Sequence, residues 1–266
     1  MQDTQWELIM KKELSLAKQI YKSRKPFIFF HTHEVTKEVL LAAINENKSM
    51  DIDICVDDTG MPYLGHSREY YEKLSEPWDQ SIPLWEAVEL LANANIPVMV
   101  DCKHYGAWRY VEDVVTRLGA ANCLVHAFIF EFDFHYIRHD DYYVRCEWLP
   151  VEQLKYLKSK FPAITTTASA RGLPPDILIS DQYQKLLKDI KKILISNQVD
   201  TVCLNVPDNT FSNRALQFFL ADNILPHVMI DKIDTSGLTE LYIGETDLLE
   251  SASKYTNNKT QIEANQ

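Results

Sequence analysis

Residues 50–56 read MDIDICV, and residues 96–103 read IPVMVDCK. Each is a short, largely apolar run of strand length, bearing Asp51 and Asp53 in the first and ending in Asp101 and Lys103 in the second. Strands buried on both faces read as apolar runs rather than strict alternation, and that is the mark of a parallel sheet covered by helices. Working outward, the same signal recurs at 26–30, 122–128, 163–168, 200–206, 225–230 and 239–244. Between these runs, residues 36–47, 83–94, 109–118, 150–160, 180–196 and 211–222 carry apolar residues at helical spacing. Eight βα units predict an α/β fold, a single (β/α)8 TIM barrel spanning residues 1–252. A doubly wound open sheet is the runner-up, but no G-x-G-x-x-G follows the first strand. An N-terminal helix is expected over 4–23, where Trp6, Ile9, Met10, Leu14, Ala17 and Ile20 recur. Residues 57–82 read as a long insertion after the second strand. Residues 129–149 mix aromatic and polar residues and leave strand and loop both open. The polar stretch 253–266 is expected to be a disordered tail.

The 266 residues carry a net charge of −11. Nucleic-acid backbones demand clustered Lys and Arg, so a nucleic-acid partner is not expected. A small phosphorylated substrate stays possible, because one metal ion and one lysine reverse the sign locally. Cys55, Cys102, Cys123, Cys146 and Cys203 are odd in number and include no CxxC. A disulfide framework is therefore not expected, and a reducing, cytoplasmic setting is. No run approaches the eighteen apolar residues of a transmembrane helix.

His31, Asp51, Asp53, His66, Asp101 and Lys103 concentrate the chemistry. Residues i and i+2 of a strand share a face. Asp51 and Asp53 are therefore paired, as are Asp101 and Lys103. With neighbouring strands about 4.8 Å apart, three carboxylates could surround one cation, and all-oxygen ligation selects Mg²⁺ or Ca²⁺. Facing carboxylates without such a cation repel. Two histidines can share acid–base work at phosphorus, or one can attack it. A lysine can stabilise the phosphoryl oxygens.

This constellation resembles the glycerophosphodiester phosphodiesterase-like superfamily, which includes the spider-type sphingomyelinase D phospholipases. The family pattern is a first-strand His, an acidic-x-Asp pair, a His after a short turn, and an acidic-x-Lys pair. Asp51, Asp53 and His66 follow His31 by 20, 22 and 35 residues, as in sphingomyelinase D. VDDTGMPYLGH resembles the family's T-x-D-G-x-x-V-x-x-H segment, and ELYIGETD loosely resembles its last-strand Thr-Asp. The resemblance covers about residues 27–105. It implies a barrel, a Mg²⁺ or Ca²⁺ ion held by Asp51, Asp53 and Asp101, and a catalytic pair of His31 and His66. Lys103 would bind the phosphate of a small phosphodiester, such as a glycerophosphodiester or a lysophospholipid. Three positions depart from the pattern: Asp51 stands for the usual Glu, Thr32 for Arg, and Ser67 for Asp. These departures leave room for a degenerate barrel that binds a phosphorylated ligand without turnover.

His31-Thr32-His33 also spells H-x-H, the metal chelate of amidohydrolases and of some phosphoesterases. That reading needs further ligand histidines on later strands, and His126 and His227 are the candidates. His126 reads equally as a pocket residue or as a hydrogen-bonded core histidine. His104, His135 and His139 are expected at the surface. Trp85, Trp108, Trp148 and Tyr105 are expected in packing, with a pocket role left open for Tyr105 and Trp108, which closely follow Lys103. Arg171, beside Gly172, could replace the missing phosphate cation.

Overall fold

The computed structural model describes residues 14–31, 36–66, 82–103, 105–128, 151–170, 182–204, 218–229 and 241–247. The 129–149 stretch, the 253–266 tail, His33, His104, His135, His139, Trp148 and Arg171 lie outside the described residues, as do residues 4–13 of the expected first helix.

Eight parallel strands close a barrel. They are β1 (Phe27–His31), β2 (Met50–Val56), β4 (Val98–Cys102), β5 (Cys123–Phe128), β6 (Thr165–Ala170), β7 (Thr201–Leu204), β8 (Leu225–Met229) and β9 (Ile243–Asp247). β1 pairs with β2 on one side and β9 on the other, which completes the ring. The expected barrel is therefore present. One strand went unforeseen. Within the expected insertion, β3 (Pro62–Leu64) turns back antiparallel on β2. At three residues it is too short to leave a period in the sequence. The last strand also sits later than expected, at 243–247 rather than 239–244. Leu241 supplied the apolar signal, but it is buried below the strand in the interior cluster rather than in the ladder.

The helices are α1 (Leu16–Ser23), α2 (Lys37–Asn45), α3 (Leu84–Ala94), α4 (Val111–Leu118), α5 (Val151–Lys160) and α6 (Gln182–Ser196). Caps fix their starts: Ser15 and Thr36 accept backbone N–H groups of α1 and α2. Asn47, Asn95 and Asn223 take left-handed backbone conformations where helical segments turn into the next strand. Asparagine tolerates that region better than most residues.

Strand alternation divides the core in two. Met50, Ile52, Ile54, Val98, Val100 and Val125 face outward and pack against Leu40, Leu84, Val88, Leu91 and Val114 of the helices. Phe29, Met99, Leu124, Leu225 and Ile243 face inward near the amino ends of their strands. There they meet Leu16, Ala17 and Ile20 of α1. The Ala17 N–H donates to Thr165 Oγ1 at the first residue of β6, 3.0 Å away. α1 thus stoppers the amino end of the barrel, which leaves the carboxyl end for chemistry.

Candidate active site

Four successive strands deliver the site. His31 ends β1, Asp53 lies in β2, Asp101 lies in β4, and Lys103 follows it. Asp53 and Asp101 are direct register partners, and so are Asp101 and His126 of β5. The β2–β3 hairpin returns the chain to its own start. Ile54 pairs with Leu64, and the Gly65 N–H then donates to the Asp53 carbonyl at 2.8 Å. Gly65 has φ +125°, a conformation that favours glycine. The next residue is His66, so hairpin register alone brings a histidine thirteen positions away back over Asp53. The Tyr63 hydroxyl donates to the His66 carbonyl at 2.9 Å and holds the turn.

Asp53 is the hub. Its Oδ2 lies 3.2 Å from His31 Nε2 and 2.8 Å from His66 Nε2, the latter off the hydrogen-bond direction. Its Oδ1 lies 3.2 Å from Lys103 Nζ. Lys103 in turn donates to Asp101 Oδ2 at 2.8 Å. All five side chains are buried. Asp51 is buried too, one inward position deeper on β2.

Burial pushes the Asp53 carboxyl up, but Lys103 and then the two histidines outweigh it and hold it well below the usual range. At Asp101 burial also pushes up, and Lys103 and His126 overcome it. His66 goes the other way. Burial disfavours its imidazolium more than Asp53 favours it, so its pKa falls below the ordinary 6.5. His66 is therefore neutral near pH 7 and able to take a proton. Cys102, beside Asp101, is raised by burial first and by the carboxylate second. It is a protonated thiol and no nucleophile. The described cysteines form no disulfide.

The donor set suits a cation. His31, Asp53 and His66 offer ligand atoms within 4.8 Å of one another. Asp101 Oδ1 is buried with no hydrogen-bond partner among the described residues. Asp53 and Asp101 are both held in the ionised form and share the single Lys103 ammonium.

Of the residues left open by the sequence, His126 joins the site. Its Nδ1 lies 3.0 Å from Asp101 Oδ2, and its Nε2 lies 2.5 Å from Ser169 Oγ. Its inward position, in register with Asp101, was the available signal. His227 is buried beside it, with ring centroids 6.1 Å apart, and its Nδ1 lies 3.0 Å from Thr167 Oγ1. Ser169 and Thr167 carried no sequence signal. Trp85 packs as expected, against Tyr110 and under Arg117. Trp108 does not: it is 38% exposed, within the short 3-10 turn (Tyr105–Tyr110) that precedes α4. The Tyr105 side chain lies outside the described residues.

No family model matches the chain, and no curated protein matches it in sequence. Solved structures do match its fold. A glycerophosphodiester phosphodiesterase from Parabacteroides distasonis ATCC 8503 superposes with a TM-score of 0.52, covering 89% of this chain and 99% of that one at 12% identity. A second glycerophosphoryl diester phosphodiesterase from the same organism gives a TM-score of 0.51, covering 90% and 87% at 11% identity. At such identities the likeness establishes a shared barrel fold. Among the described residues no helix is long and apolar enough to cross a membrane.

Proposed function

We propose that this chain is a phosphodiesterase of the glycerophosphodiester phosphodiesterase-like superfamily. On this reading it is cytoplasmic and cleaves a small phosphodiester such as a glycerophosphodiester or lysophospholipid. The observation that carries the reading is the convergence of His31 and His66 on one oxygen of Asp53, at 3.2 and 2.8 Å, with Lys103 on the other oxygen. The shared barrel fold supports it. In the proposed reaction His66 is neutral and accepts the proton of the attacking hydroxyl. His31 protonates the departing alcohol oxygen as its bond to phosphorus breaks. Asp53 orients both rings, and Lys103 faces the phosphoryl oxygens. Asp51, Asp53 and Asp101 would hold Mg²⁺ or Ca²⁺. Such an ion, when bound, supplies positive charge to the phosphoryl oxygens. Attack by water yields a phosphomonoester, and attack by a substrate hydroxyl yields a cyclic phosphate. The free alcohol is released either way.

The test is turnover of glycerophosphocholine and lysophosphatidylcholine by the full chain with Mg²⁺ or Ca²⁺, followed by phosphorus NMR. The expected result is loss of the diester signal, with the product shift separating monoester from cyclic phosphate. No turnover of either substrate under both ions overturns the reading.

A second reading is favoured by one observation, the proximity of the ligand atoms of His31, Asp53 and His66. Those three would hold a transition metal in a metallohydrolase, and His31 and His66 would be ligands rather than acid and base. Zinc or manganese bound stoichiometrically to purified protein, and lost in both His31→Ala and His66→Ala, would select it.

A further inference from the structure

Asp101 is held on one oxygen and bare on the other. Its Oδ2 takes Lys103 Nζ at 2.8 Å and His126 Nδ1 at 3.0 Å. Its Oδ1 is buried without a hydrogen-bond partner among the described residues. A carboxylate can only accept, so His126 Nδ1 carries the proton. In neutral His126, Nε2 is then an acceptor, and the Ser169 hydroxyl donates to it across 2.5 Å. The three side chains stand on adjacent strands: Asp101 opposite His126, and Ser169 one inward position above Thr167, the register partner of His126. The order hydroxyl–imidazole–carboxylate is that of a nucleophilic triad. Ser169, however, is fully buried, so no substrate reaches its Oγ. The chain of contacts runs toward the phosphodiesterase site.

We propose that His126, oriented by Ser169, is a positioning residue: it fixes the Asp101 carboxylate so that Oδ2 anchors Lys103 while Oδ1 is kept for a cation. The inference rests on the phosphodiesterase reading and adds a support to its site. Groups that orient a ligand carboxylate or histidine typically change metal affinity or activity by about 10–100-fold when removed.

The experiment measures Mg²⁺ and Ca²⁺ affinity by calorimetry, kcat and KM for the cleaved diester, and thermal unfolding. The proteins are wild type, His126→Leu, His126→Asn and Ser169→Ala. His126→Leu is expected to weaken cation binding and lower kcat, each by about 10–100-fold, with KM little changed. His126→Asn places an amide N–H where Nδ1 stood and is expected to recover most of both losses. Ser169→Ala is expected to cost less than His126→Leu in both measures. A folded His126→Leu protein with wild-type cation affinity and kcat overturns the inference alone. So does His126→Asn as impaired as His126→Leu. If His126→Leu does not fold, the other two variants decide: unchanged cation affinity in Ser169→Ala together with a tenfold or greater loss in His126→Asn overturns it. Wild-type protein that neither binds the cations nor cleaves the diester overturns the phosphodiesterase reading instead.

Discussion

The two ends of the barrel interior are built from the same strands, one inward position apart. Phe29 becomes His31, Met99 becomes Asp101, Leu124 becomes His126, and Leu225 becomes His227. Two residues of strand rise separate hydrocarbon from ionisable groups, roughly 6.6 Å. At the amino end, α1 seals an apolar layer with Leu16, Ala17 and Ile20. At the carboxyl end, buried carboxylates, imidazoles and a lysine neutralise one another in part. Burying such groups costs free energy unless each is paired. The apolar end contributes stability without chemistry, and the polar end holds chemistry at some cost in stability. Substitutions at the two ends should therefore fail in opposite ways.

The largest effect is expected at the polar end. His31→Ala and His66→Ala should each lower kcat by about 10²–10⁴-fold, with KM little changed. The double variant should be little worse than the worse single one, because the pair acts as a unit. His33→Ala is the control. If it loses activity and metal as fully as His31→Ala does, the H-x-H reading replaces this one.

The mirror experiment removes the stopper. Leu16 and Ile20 are 1% exposed, and truncating such residues costs about 2–5 kcal/mol. Leu16→Ala and Ile20→Ala should lower the midpoint of urea unfolding while the folded fraction keeps wild-type kcat. A drop in kcat without a drop in stability would dissolve the division between the two ends.

How much of this was legible in the sequence follows from the same geometry. The barrel was legible because its strands are buried on both faces, as the unbroken burial of β2 shows. Asp51, Asp53, Asp101 and Lys103 were legible because charge stands out in an apolar run. The role of Ser169 was not. AITTTASA offers many hydroxyls, and only register with β5 selects one. His126 lay between the two cases: its strand parity was readable, but its partners depend on which strand lies alongside. The hairpin that returns His66 to Asp53 was invisible, because a three-residue strand has no period.

Metal should act on the polar end alone. If Asp51, Asp53 and Asp101 hold a hard cation, Mg²⁺ or Ca²⁺ at a hundred times its Kd should stabilise the fold by about 2.7 kcal/mol. Thermal unfolding with and without chelator measures this. Asp101→Asn should lose most of the gain, while Leu16→Ala should keep it. An unfolding curve indifferent to chelator, in protein shown to start metal-loaded, would remove the cation from the site.

The smallest effect is that of pH, and its sign separates His66 from the carboxylates. Burial lowers the His66 pKa below 6.5 in the folded protein, so the unfolded chain binds its proton at a higher pH. Stability must then fall as pH drops below about 6.5, down to the folded pKa. Asp53 and Asp101 are held below their ordinary 3.8 in the fold. Their contribution is fully present above about 3.8 and is lost as pH falls further, through their folded values. Metal-stripped protein should therefore lose stability in two windows, one beginning near pH 6.5 and one beginning near pH 3.8. His66→Gln should flatten the first window and leave the second. In the phosphodiesterase assay the acid limb of kcat/KM should lie below pH 6.5, because His66 must be neutral to take a proton. Urea midpoints at pH 7.5 and 5.0, for wild type and His66→Gln, make the measurement. Equal losses in the two proteins would show that His66 is not the group titrating there. The loss between pH 7.5 and 5.0 would then belong to another group, because Asp53 and Asp101 give up their contribution only below about 3.8.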